Sequence, residues 1–111
     1  IVPYKENTFD HRRPNTTFSH LLEDYEANTS ETDQTHLNEI RQLHDFSKHN
    51  FDPDPKQYNA MLNNNEFYRV AHHHVFDLDL LVQCFLWANF EIVFSGTIDP
   101  ISNLVLAKLK S

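Results

Sequence analysis

Only one glycine, Gly96, occurs among the 111 residues of this chain, and this scarcity limits the folds that it can adopt. Sandwiches and barrels of β-strands join many strands through tight turns, which often need glycine for backbone angles that other residues avoid. Hydrophobic residues make up 40% of the chain, so a single domain of this length can still bury a core. The sequence therefore predicts an all-α fold, a compact bundle of about five or six short helices.

The first fourteen residues differ from the rest of the chain. Pro3 and Pro14 bracket this stretch, and Tyr4 and Phe9 are its aromatic anchors. Proline fixes its own φ angle and disfavours helical backbone in the residue before it. We therefore expect an extended N-terminal arm over residues 1–14 and one helical domain over residues 15–111. The arm is interpreted either as a loose terminus or as a segment that packs on its own domain or on a partner.

Apolar side chains recur at intervals of three and four residues over most of the remaining chain, as in amphipathic helices. Several of these runs begin with a residue that can cap a helix, and Asp54–Pro55 and Asp99–Pro100 add a proline suited to the first turn. The predicted helices span residues 16–27, 31–49, 54–62, 66–73, 78–94 and 100–110, with a break at residues 50–53.

The end of the fifth predicted helix is ambiguous. Residues 90–94 alternate between apolar and other side chains, as a strand does, although they also continue the apolar run from Leu78. An isolated strand would have no partner for its backbone groups, so helix is preferred, with Ser95 and Gly96 ending it. This run is too short and too polar to predict a membrane-spanning helix.

Eight histidines are the one unusual feature of the composition. His72, His73 and His74 are consecutive, but consecutive side chains on a helix point about 100° apart and cannot all reach one ion. The i, i+4 spacing yields only His73 with Asp77, and the pair His20 and Asp24 is interpreted as a surface interaction. We therefore predict no metal and no cofactor. A metal at His73 and Asp77 is the alternative.

Catalysis has no local support in the sequence. Nucleophile motifs and glycine-rich phosphate loops are absent, and the lone Cys84 lies in an apolar setting typical of an inert buried thiol. One cysteine cannot form an internal disulfide, which favours a reducing compartment. We therefore expect a non-enzymatic, cytoplasmic or nuclear chain, cut from a larger intracellular protein.

Charge argues against nucleic acid as a partner. The net charge is −7, and most of it lies in the middle of the chain, where it repels phosphate. A nucleic-acid-binding module would have to use Arg12 and Arg13 on the arm, with the last two predicted helices as a helix-turn-helix. This reading is kept as a second alternative.

The function that the sequence favours is protein–protein interaction or dimerisation, with no membrane contact. Large aromatic side chains and an extended arm, without a catalytic motif, are typical of docking domains. The partner is another protein, with a second copy of this chain as one candidate. A small metal-binding or enzymatic domain that uses the His72–His74 region is the first alternative. The predicted contact residues are Tyr4, Phe9, Arg12, Arg13, Trp87, Phe90 and Phe94.

Overall fold

A computed structural model describes residues 1–49 and 54–111 of the chain. The break predicted at residues 50–53 lies outside the described residues. Within them, the predicted all-α fold is wrong, because a three-stranded antiparallel sheet accompanies five helices. The helices are α1 (Phe18–Glu26), α2 (Leu37–Leu43), α3 (Pro55–Asn63), α4 (Asn65–Tyr68) and α5 (Leu78–Trp87). The strands are β1 (Val2–Pro3), β2 (Phe90–Asp99) and β3 (Ser102–Leu109).

The C-terminal part of the chain is a long β-hairpin. β2 and β3 pair along their whole length, from Phe90 opposite Leu109 to Asp99 opposite Ser102. β1 adds two residues to the far edge of β3, so the strand order is β1-β3-β2. α5 packs against one face of this hairpin.

Two predicted helices, 78–94 and 100–110, are therefore corrected. α5 ends at Trp87, and Asn89 takes a left-handed conformation with φ 67° that turns the chain into β2. A helix was preferred for residues 90–94 because no strand partner was expected, but residues 102–109 supply one. Because residues 90–99 and 102–109 form strands, the helix-turn-helix that a nucleic-acid module needed is absent from the described residues.

Earlier helices are shorter than predicted. Residues 31–36 form turns, and α2 begins only at Leu37. Arg69 has a left-handed φ of 51° directly after α4, so residues 69–77 run in irregular, non-helical backbone where a helix was predicted over 66–73. Because residues 69–77 are not helical, their histidine side chains do not have the directions expected on a helix.

Side-chain caps explain the helix starts that the sequence predicted well. Asp54 accepts a hydrogen bond from the backbone N–H of Lys56, and Pro55 occupies the first turn of α3. Asp77 accepts the N–H of Leu80 at 2.8 Å and caps α5. In both cases an aspartate satisfies an N–H group that has no partner within the helix.

The main core lies between α2 and α3. Leu37 and Ile40 of α2 are buried against Tyr58 and Leu62 of α3. The helical spacing of these four residues puts each pair on one face of its helix. Partly buried side chains complete this core, namely Phe46, Val70 and Ala71.

The N-terminal arm packs on its own domain. The N–H of Tyr4 donates to the carbonyl of Ile101 at 2.7 Å, next to the pairing of β1 with β3. At its other end the arm is held by Arg13, whose side chain is 1% exposed. The arm therefore joins the hairpin to the histidine-bearing segment 69–77. In the part of the chain described, none of the helices has both the length and the apolar character to span a bilayer.

Candidate metal centre

Three histidines and one aspartate converge where three segments of the chain meet. His20 and Asp24 lie one turn apart on the same face of α1, His36 immediately precedes α2, and His74 lies in the irregular segment 69–77. One potential ligand atom from each of these four residues lies within 4.8 Å of all the others. We call these four residues the His3Asp cluster.

The distances within the cluster are close to those of a metal site. Nε2 of His20 lies 3.3 Å from Nε2 of His36 and 3.2 Å from Oδ2 of Asp24. In a tetrahedral zinc site with bonds of about 2.0–2.1 Å, two ligand atoms lie about 3.3–3.4 Å apart. Nε2 of His74 lies closer to the same carboxylate oxygen, at 2.6 Å, which is a hydrogen-bond distance. Of these three distances, the one between His74 and Asp24 would have to lengthen, by somewhat less than 1 Å, to admit an ion.

The three imidazole rings point toward a common centre. Their centroids lie 5.1 Å apart for His20 and His36, 5.3 Å for His36 and His74, and 5.6 Å for His20 and His74. All three pairs meet edge to face, so the rings do not stack. The ligand atoms of these rings lie together with the carboxylate of Asp24, as they would in a metal site.

Neighbouring polar groups hold the cluster. The hydroxyl of Thr29 donates to the second oxygen of Asp24, at 3.3 Å. Asp33 lies 3.6 Å from Nε2 of His36, and this carboxylate is itself held by the N–H and hydroxyl of Thr35. Thr29 therefore orients a ligand carboxylate, whereas Asp33 lies at the same nitrogen of His36 that faces His20.

Protonation at the cluster suits metal binding. A hydrogen bond from His74 lowers the pKa of Asp24, so this carboxylate is ionised near neutral pH. Burial lowers the pKa of His36 below its ordinary value, which leaves the imidazole neutral near pH 7. A neutral imidazole and an ionised carboxylate are the forms that bind a metal.

The alternative pair, His73 and Asp77, has other partners in the structure. Asp77 caps α5 and also accepts a hydrogen bond from Asn15. Nε2 of His73 contacts the side-chain amide of Asn65, and the His73 ring lies 6.1 Å from the ring of His36. Nδ1 of His73 is buried without a hydrogen-bond partner among the described residues. His73 thus lies beside the His3Asp cluster, away from Asp77.

Arg13 fixes the segment that carries His74. Its guanidinium donates to the carboxylates of Asp10 and Glu39, at 3.1 and 2.9 Å. It also donates to the backbone carbonyls of His72 and His73, at 2.6 and 3.1 Å. Because Asp10 also contacts the ring of His72, the arm and segment 69–77 form one buried polar network.

A second group of histidines surrounds Phe9. His44 is buried, its ring stacks on Phe9 with centroids 4.6 Å apart, and Nδ1 lies 3.3 Å from the hydroxyl of Tyr58. Burial, together with the nearby ring of His49, lowers the pKa of His44 to about 4. Asp10 and Asp45 oppose this shift and His72 adds to it, but burial is the largest cause. His44 is therefore a neutral aromatic core residue at neutral pH.

This low pKa predicts a loss of stability in mild acid. The unfolded chain binds a proton at His44 near pH 6.5 and the folded chain only near pH 4, so stability is lost as pH falls through this range. We expect the free energy of unfolding to decrease by about 3 kcal/mol from this group over that range. NMR titration of the His44 ring should give a midpoint near 4. A midpoint near 6.5 would contradict the expectation.

The structure uses several predicted contact residues within the chain. Phe9 stacks on the rings of His44, His49 and His72. Arg13 is buried in the network described above, and Arg12 beside it is half exposed, 3.5 Å from Asp45. Their role in a partner contact stays a prediction.

The other predicted contact residues lie around the hairpin. The Trp87 ring meets those of Phe18 and Tyr25 edge to face, and 54% of Trp87 is exposed. Phe90 contacts Phe85 of α5, whereas Phe94 is half exposed. Trp87 and Phe94 therefore lie on an accessible apolar surface.

None of the four cluster residues was predicted from the sequence as a metal ligand, because His20 and Asp24 were interpreted as a surface interaction and His73 and Asp77 were named as the alternative pair. His20 and Asp24 are visible as an i, i+4 pair, but His36 and His74 are brought to them only by the tertiary fold. No family model, no curated protein and no solved structure matches the chain. Its function must therefore be argued from this geometry.

Proposed function

We propose that the chain is a zinc-binding domain in which a Zn²⁺ ion at the His3Asp cluster stabilises the fold. The observation that carries the proposal is the convergence of four ligand atoms within 4.8 Å of one another. Three Nε2 atoms and one carboxylate oxygen make a mixed nitrogen and oxygen ligand set. Zinc takes these ligands in tetrahedral geometry.

Four protein ligands favour a structural ion over a catalytic one. Catalytic zinc sites commonly use three protein ligands and leave the fourth position to water. Here the four ligands come from α1, from the residue before α2 and from segment 69–77, so one ion would tie three segments together. The main core lies between α2 and α3, and no residue of α1 is fully buried. An ion at this point would fasten α1 where apolar burial is weak.

The site is accessible to an ion from solvent. An open cavity of about 350 Å³ borders His20 and His36, and another of about 360 Å³ borders Asp24 and His74. The ligand residues are neither sealed nor fully exposed, because their side chains are 15–35% accessible. Zinc can therefore enter the folded chain.

Zinc titration of metal-free protein tests the proposal. We expect one equivalent to bind and, with free zinc at a hundred times Kd, a gain of about 2.7 kcal/mol in stability. For a chain of this size the corresponding rise in Tm is about 10 °C. Calorimetry measures the stoichiometry, and Co²⁺ in place of zinc should give the intense visible absorption of a tetrahedral site.

A histidine outside the cluster provides the control. His11 pairs with Asp45 at 2.6 Å and lies outside the His3Asp cluster. The His11→Ala variant should therefore keep the one-to-one zinc stoichiometry. Absence of a zinc-dependent rise in Tm in the unaltered chain, together with no heat of binding, would refute the proposed function.

A further inference from the structure

Strand β2 of the hairpin has a free edge. β3 lies between β1 and β2, so no described strand borders the outer edge of β2. This edge is ten residues long and contains neither lysine nor proline, the residues that commonly protect edges from pairing. The opposite edge of the hairpin is blunted, because β1 covers the start of β3 and Lys108 lies near its end. The edge of β2 is therefore the more open of the two, although β2 carries Glu91 and Asp99 and its pairing with β3 is irregular between Ile92 and Phe94 and between Thr97 and Asp99.

Exposed apolar side chains accompany this edge. Val93, Phe94 and Ile98 of β2 are each about half exposed, as is Leu106 of β3. The chain has an accessible surface of 7394 Å², whereas a folded monomer of 13.1 kDa is expected to have about 6,400 Å². The excess of about 1,000 Å² belongs to the chain as a whole, and its size is similar to the roughly 800 Å² that each partner buries in a standard interface.

Charge indicates which partner fits this surface. Residues 90–111 carry Glu91 and Asp99 against Lys108 and Lys110, so the hairpin is neutral. The whole net charge of −7 therefore lies on residues 1–89. A basic partner would be attracted to that acidic body and not to the hairpin. β2 itself carries Glu91 and Asp99, but Lys108 of β3 lies 3.4 Å from Glu91. The hairpin is therefore the surface at which two copies of this acidic chain repel each other least, while the acidic bodies stay on the outside.

We infer that two copies of this chain associate through antiparallel pairing of their β2 strands into one continuous six-stranded sheet. An antiparallel pair of identical strands is two-fold symmetric, so the contact closes at a dimer. Backbone hydrogen bonds supply register, and the apolar side chains beside the edge become covered. This is dimerisation, as the sequence favoured, at a surface that does not involve the N-terminal arm.

Analytical ultracentrifugation over a micromolar to near-millimolar range tests the inference. The unaltered chain should be dimeric at the upper end. The Val93→Lys and Ile98→Lys double variant introduces edge lysines at exposed positions and should weaken the dimer about tenfold or more. Phe67→Lys, an equally drastic change at a 75% exposed side chain on α4, should leave the dimer unchanged.

Hydrogen exchange supplies a readout that needs no variant. Amides of β2 that face the free edge should exchange slowly in concentrated protein and quickly in dilute protein, whereas those bonded to β3 should not change. A monomer at all concentrations, growth into open-ended aggregates, or a dimer that survives both lysines would overturn the inference. So would a dimer that forms only with zinc, although that result would leave the proposed zinc site in place.

Discussion

Replacing Arg13 by alanine is expected to lower the free energy of unfolding by about 3–5 kcal/mol. The side chain of Arg13 is 1% exposed, and the carboxylate of Asp10 beside it is 4% exposed. Removing the guanidinium leaves this buried carboxylate with its contact to the His72 ring, and it leaves the carbonyls of His72 and His73 without their donor. Leaving a buried charge and two carbonyl acceptors without their partner lowers the free energy of unfolding more than losing an exposed contact does.

Urea unfolding followed by circular dichroism measures this change, with the adjacent arginine as control. Arg12 is half exposed and has one ion pair, with Asp45 at 3.5 Å, so Arg12→Ala should cost less than about 1 kcal/mol. Arg13→Lys keeps the positive charge but not the forked donor geometry, and an intermediate loss is expected. Equal effects at positions 12 and 13 would mean that the buried network does not stabilise the fold.

The network around Arg13 also shows what sequence can and cannot reveal. Arg13 is one of two consecutive arginines in a stretch bracketed by prolines, a pattern that predicted an extended arm. Nothing in its neighbours along the chain indicates that Asp10 and segment 69–77 enclose it. The burial of Arg13 follows from contacts between residues about 60 positions apart, which a local pattern does not encode.

Helix starts were predictable because their chemistry is local. An aspartate followed by a residue with helical preference satisfies an N–H group two or three positions later, as at Asp54 and Asp77. The same chemistry misled at Asp99, whose carboxylate accepts the N–H of Ile101 at 2.9 Å in the hairpin turn. An aspartate before a proline therefore predicts that its carboxylate accepts a hydrogen bond from a nearby backbone N–H group. Whether a helix or a strand follows depends on the rest of the chain.

The scarcity of glycine misled for a related reason. Left-handed backbone is needed after α1 and after α5, and asparagine supplies it at Asn28 and Asn89, with φ of 54° and 67°. Asparagine tolerates this region better than most other residues. Gly96 does not have a positive φ; an added Cβ there would meet the Phe94 ring at 3.1 Å. Eleven asparagines therefore make turns available that one glycine does not.

The His3Asp cluster was half visible from the sequence. Helical spacing indicated the pair His20 and Asp24, which was interpreted as a surface interaction, and a helix was predicted over residues 66–73, where consecutive histidines cannot converge. Because Arg69 ends α4 in left-handed backbone, the segment is irregular and His74 reaches α1 while His73 lies toward Asn65. Because a helix was predicted here, His74 was not recognised as a ligand. His36 joins the cluster only through the tertiary fold.

Removing single ligands should separate a zinc site from a hydrogen-bonded cluster of histidines. Loss of a residue that merely supports a ligand costs about 10–100-fold in metal affinity, so we expect His36→Ala and Asp24→Asn to lower zinc affinity by about 100-fold or more. Glu26→Gln is the matched control for Asp24→Asn, because Glu26 is an exposed acid on the same helix and lies outside the His3Asp cluster. Competition with a chromophoric chelator measures all three affinities.

The two explanations differ in how stability responds to zinc. If the four residues only hydrogen-bond to one another, Asp24→Asn changes the Tm of metal-free protein, and added zinc changes nothing in either chain. If they hold an ion, the zinc-dependent rise in Tm is present in the unaltered chain and in Glu26→Gln, and is lost in Asp24→Asn and His36→Ala. The rise should also disappear below about pH 6, since protons then compete with zinc for the imidazoles. A rise that persists in both ligand variants would place zinc elsewhere on the chain and refute the His3Asp site.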